Sequence, residues 1–177
     1  MRIISKSNKF VTKTEFHNFD YKDSVVAATT ASFTMASTAT TNTLVLANGE
    51  GGFDSSANTF TQDSISLTQN QRVLIQDGIN SNGTGVHGKW NGIYTVGDLT
   101  ATSLTLTRAV DFGTSTEIHS GCQVHVEKGG THADTNFVVT TDGTITVGTT
   151  AITFTNISST AAVATTVTVT DNEDTAE

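Results

Sequence analysis

A chain of 177 residues is long enough to bury the core of one domain, although an apolar content of 36% is low for a compact globule. With 9 basic against 17 acidic residues the net charge is −8, which argues against nucleic acid, because phosphate binding needs clustered Lys and Arg. The lone Cys122 excludes an internal disulfide framework, and no apolar run approaches the ~18 residues of a membrane span or forms the apolar centre of a signal peptide.

Residues 1–24 scatter Ile3, Ile4, Phe10, Val11, Phe16, Phe19 and Tyr21 among charges with no sustained helical period. They read as an extended N-terminal arm without a core of its own, whose apolar side chains bind a partner surface or a sister subunit. Arg2, Lys6, Lys9, Lys13 and Lys22 give this arm a basic bias. From Val25 the texture becomes rich in Ala, Ser and Thr, and β-branched residues fit a pleated surface better than a helix. Residues 32–37 (SFTMAS) alternate, and residues 43–47 (TLVLA) read as a more fully buried strand. Residues 48–63 (NGEGGFDSSANTFTQD) read as a long surface loop, whose Phe53 and Phe60 either pin it down or offer contacts to a partner. After a short strand at 64–67, residues 72–96 pair RVLI with GIYTV as a hairpin at the centre of the core. Its expanded polar loop presents Asn80, Asn82, His87 and Trp90 as candidate surface contacts.

Residues 103–110 (SLTLTRAV) place Arg108 on the face of Leu104 and Leu106, so its guanidinium is expected to reach solvent or a carboxylate. The run 122–126 alternates, 128–134 turns through Gly129-Gly130, and 136–141 (NFVVTT) leads into Asp142-Gly143, the strongest short hairpin signal, which pairs it with 144–147. Residues 151–157 give a further strand with Ile152 and Phe154 on one face, and 161–169 contain a final strand before the acidic end at Asp171, Glu173, Asp174 and Glu177. The expected fold is all-β: a single antiparallel β-sandwich or small β-barrel over 25–160, an arm at 1–24, and a terminal strand with a flexible acidic tail at 161–177.

Motifs that carry chemistry fail on context. Residues 83–88 match G-x-G-x-x-G, but a strand follows where a phosphate site needs a helix. His119, His125 and His132 lie in or beside one strand, spaced too far apart along it to converge on a metal. Asp77, Asn80 and Asn82 lack the spacing and terminal Glu of an EF-hand. Asp54, Asp63, Asp77, Asp111 and Asp134 all fall in turns, where Asp bonds its own backbone, and Cys122 has no visible activating neighbour. The reading is therefore no catalytic residue, no metal and no cofactor.

Several motifs in order do point to a family. They are DSVVAATTASFT, QRVLIQDGIN, NGIYTV, LTRAVDF and the closing run GCQVHVEKGGTHADTNFVVTTDGTITVGTTAITFTNIS. Over residues 22–158 the chain resembles a module of bacteriophage virion proteins, the tail-fibre and head-fibre proteins. The resemblance implies a virion structural protein without enzymatic activity, made in an infected bacterial cytoplasm. Loop 48–63 and the loop after Gly78 are longer than the family leads one to expect. The chain is also short for a fibre shaft, and the expectation is a capsid decoration or cement protein. It would bind the major capsid protein or another virion protein through its arm, as a homotrimer, with no nucleic acid and no membrane as partner. The alternative is a tail- or head-fibre component that recognises a host surface glycan.

Overall fold

The computed structural model describes residues 20–35, 39–81 and 86–158. Within them the chain is mostly β and nearly devoid of helix, arranged in several small sheets, none closed into a barrel. Among the described residues no helix is long and apolar enough to cross a membrane.

The strands are β1 (Asp20–Tyr21), β2 (Ala27–Ala28), β3 (Phe33–Met35), β4 (Thr43–Ala47), β5 (Phe53–Asp54), β6 (Thr59–Gln62), β7 (Ile65–Leu67), β8 (Arg72–Ile75), β9 (Ile79–Ser81), β10 (Val86–His87), β11 (Gly92–Val96), β12 (Ser103–Arg108), β13 (Cys122–Val126), β14 (Thr135–Val139) and β15 (Phe154–Asn156). The largest sheet runs β2-β8-β11-β12-β4; the others run β1-β13-β14-β15, β10-β9-β3 and β5-β6-β7. RVLI and GIYTV do pair as antiparallel neighbours, Ile93 opposite Leu74 and Tyr94 opposite Val73. Val73-Leu74-Ile75 and Ile93-Tyr94 run apolar without alternation because both of their faces are buried. Leu74 and Ile93 enter one core with Val124, Val126, Phe137, Val139 and Phe154. Val73, Ile75, Tyr94 and Val96 enter a second with Met35, Leu44, Phe53, Phe60, Leu67 and Leu106.

Four expectations are corrected. The pairing is not purely antiparallel, since β1 with β13, β2 with β8 and β3 with β9 are parallel. Residues 48–63 are not a plain surface loop. Phe53 and Phe60 face each other across β5 and β6 and are 1% and 0% exposed, so they anchor the segment in the second core and are not surface contacts. Gly52 permits this at φ +83°, where a Cβ would sit 2.3 Å from the Thr61 carbonyl oxygen. The Asp142-Gly143 turn does not make a hairpin with 144–147: β14 pairs instead with β15, Val139 opposite Phe154, while Ile145 and Val147 drop into the first core. Burial of two large aliphatic side chains outweighs the local turn preference. Arg108, 5% exposed, does not reach solvent, and among the described residues it meets no carboxylate. It donates to the carbonyls of Thr41 (3.0 Å), Asn91 (3.0 Å) and Lys89 (3.2 Å) and lies 5.0 Å from the Tyr94 ring centre.

Candidate functional site

The N-terminal segment of the described chain is tied into two sheets. Asp20 and Tyr21, which the sequence assigns to the arm, form β1 on the outer edge of the β13 sheet. The chain continues with Lys22 N–H on the Gln123 carbonyl (2.8 Å) and Val25 N–H on that of His125 (2.9 Å). It then crosses to the central sheet, where Val26 N–H donates to the Arg72 carbonyl (2.9 Å) and β2 pairs with β8. Residues 20–28 thus belong to two sheets at once.

Arg72 locks the crossing. Its Nη1 and Nη2 donate to the two Asp111 carboxylate oxygens, both at 2.9 Å. Nη2 also donates to the Asp23 carbonyl (2.9 Å) and Nε to that of Ser24 (3.1 Å). Asp111 in turn accepts the Asp23 amide at 3.0 Å, and the Ser24 hydroxyl donates to Glu127. A guanidinium suits this because its planar fork spans both carboxylate oxygens while other donors remain for carbonyls. Asp111 is therefore not a self-bonded turn residue, unlike Asp54, whose carboxylate takes the Ser56 and Ala57 amides. Two large apolar side chains stay outside: Tyr21 on β1 is 65% exposed and Val110, next to Asp111 in the chain, is 90% exposed.

Of the expected arm contacts only Tyr21 is among the described residues; Ile3, Ile4, Phe10, Val11, Phe16 and Phe19 lie outside them. Asn82 also lies outside, and Asn80 is half-buried in β9, opposite Val86. His87 and Trp90 do come together, edge to face at 5.7 Å between ring centres, with Lys89 Nζ 4.4 Å from the Trp90 ring centre. Tyr94 donates its hydroxyl to the Trp90 carbonyl at 2.7 Å, and burial pushes its pKa up to about 12. A groove of about 710 Å³ opens between β3, the turn at 49–52, the turn at 61–64 and Thr131. Its polar groups already bind the protein: Gln62 donates to the Gly51 carbonyl, and Asp63 accepts the amides of Thr131 (2.9 Å) and His132 (2.8 Å).

The three histidines have different neighbours. His125 meets Asn136, and His132 packs edge-on against Phe137 with its Nδ1 buried and unbonded. His119, however, joins Asp20 and Cys122, a grouping invisible in sequence because Asp20 arrives from the far end of the chain. Burial alone would raise the Asp20 pKa, but hydrogen bonds from Lys22 and Cys122 and the charges of Lys22 and His119 bring it below the ordinary value. Burial pushes the Cys122 thiol up.

Sequence was equally blind to Asn91. Buried at the end of the central hairpin, it accepts the Gly78 amide (2.8 Å) and donates to the carbonyls of Gln76 (2.9 Å) and Ile152 (2.8 Å). Asn-Gly reads locally as a turn signal, whereas here the amide ties both cores together. No family profile, curated protein or solved structure matches the chain.

Proposed function

We propose that this chain is a non-enzymatic virion structural protein, a capsid decoration or cement protein that holds the head surface through its N-terminal arm. The observation that supports this reading is the double tether of residues 20–28. Any load on residues 1–19 passes through β1, the Arg72–Asp111 clamp and β2 into both sheets, as an anchor requires. The exposed Tyr21 and Val110 extend the apolar character of the arm onto the domain rim. In this reading the sheets stack as a β-sandwich with the five-stranded sheet in the middle, and copies assemble as trimers, so that each arm packs on a neighbour.

The test is removal of residues 1–19, which leaves both cores and the clamp intact. The shortened protein is expected to keep its β circular-dichroism spectrum and to lose co-sedimentation with purified capsids. Undiminished capsid binding would overturn the reading, and sedimentation velocity reports the trimer separately.

One observation favours a second reading, a tail- or head-fibre component that recognises a host surface glycan. The groove of about 710 Å³ has the size of a small-ligand site and is lined by part of the expanded segment 48–63. Copy number separates the two: hundreds per virion mean decoration, and a few to a few tens mean a fibre or tail part.

A further inference from the structure

We propose that Asp20, His119 and Cys122 form a binding site for a zinc-like divalent cation that fastens β1 to β13. Their ligand atoms all lie within 4.8 Å of one another. His119 Nε2 is 3.3 Å and Cys122 Sγ 3.4 Å from Asp20 Oδ2. A tetrahedral zinc with bonds of about 2.0–2.3 Å sets ligand-to-ligand edges of about 3.3–3.6 Å, so these two edges are already at coordination distance. One nitrogen, one sulfur and one oxygen donor suit a borderline ion such as zinc and do not suit magnesium or calcium.

The surroundings of the three ligands set their orientation. His119 Nδ1 donates to the Ser120 carbonyl at 2.9 Å, which leaves Nε2 as the nitrogen turned toward Asp20 and the one a metal would take in place of a proton. The backbone amide of His119 donates to Cys122 Sγ at 3.3 Å, a bond that favours the thiolate a metal requires. The thiol itself donates to the Glu117 carbonyl at 3.6 Å and to Asp20, so the cation would take the place of the proton held there. His119 and Cys122 are three apart across a tight turn, the local spacing of a chelating pair. The thiol is buried at the base, while the His119 and Asp20 side chains are 53% and 35% exposed, which leaves an entry path and a fourth position for water.

The competitor is also present. Lys22 Nζ lies 2.7 Å from the same Asp20 oxygen, so an incoming cation must displace the ammonium. Binding breaks the S–H bond, forms a metal–sulfur bond and releases the thiol proton to solvent.

Full-length protein, stripped with chelator, is titrated with cobalt chloride and then with zinc chloride. The expected result is one cobalt per chain with a thiolate-to-cobalt charge-transfer band and strong tetrahedral d–d absorption, both abolished by zinc. His119→Gln, at a half-exposed side chain, is expected to weaken cobalt binding about 10-fold or more. Cys122→Ser should remove the charge-transfer band, and Lys22→Met should tighten binding. Absence of cobalt and zinc uptake at millimolar metal overturns the proposal, and so does uptake that His119→Gln leaves unchanged. Should Cys122→Ser fail to fold, the wild-type charge-transfer band and the His119→Gln titration decide.

Discussion

Arg108 keeps a buried charge with no carboxylate beside it among the described residues. Three backbone carbonyls and the face of Tyr94 take the place of a counter-ion. The arrangement depends on Gly92, where a Cβ would stand 2.1 Å from Arg108 Nη1. Gly92→Ala is therefore expected to expel the guanidinium and to cost about 1–3 kcal/mol, read as a lower urea midpoint at unchanged slope. Sequence places Arg108 on the inward face but gives no sign of its partners, because carbonyls belong to every residue and leave no mark in composition. Asp77 is the opposite case, a carboxyl whose pKa burial raises against the pull of Thr29, His132 and Gln76. A raised folded pKa means that its contribution to stability is fully present below the unfolded value and is lost as pH rises through the folded one. Asp77→Asn should accordingly gain stability relative to wild type at neutral pH, and the gain should vanish in thermal melts below about pH 3.8, the ordinary carboxyl range.

Among the elements, the central hairpin was readable because apolar strands with a turn signal between them leave few alternatives. The segment at 20–28 was not. Its parallel partners lie far along the chain, and Ala27-Ala28, both fully buried, carries no periodic signature. The Asp142-Gly143 turn misled for the reverse reason: the local signal is strong, and the partner strand is decided by which residues reach the core. For the clamp, Arg72→Lys is the discriminating change, since an ammonium cannot span both Asp111 oxygens and two carbonyls. Hydrogen exchange is expected to show lost protection at the Lys22, Val25 and Val26 amides, with the β8 and β11 ladder unaffected. Equal loss across both would mean that the clamp supports the whole domain.

The molecule as a whole has two cores that share one sheet. Leu74 and Ile93 face the first, while Val73, Ile75 and Tyr94 on the same strands face the second. Neither core can open without stripping one face of β8 and β11, so a single cooperative transition is expected. Phe112→Ala in the first and Phe60→Ala in the second should each cost about 3–5 kcal/mol and lower the same midpoint, whether followed by circular dichroism or by Trp90 emission. Two separated transitions would show the cores to be independent.

The parallel pairing of β1 with β13 also orders events in time. The Ser24 side chain finds Glu127 across 103 positions of sequence, and the Asp20 carboxylate finds Cys122 across 102. During synthesis β2 can meet β8 as soon as residues 72–75 are made, whereas β1 has nothing to pair with until β13 follows, and such distant contacts close late in folding. β1 is thus made long before β13 and fixed only with it, so in a nascent chain this edge of the fold closes after the β8 and β11 ladder has formed.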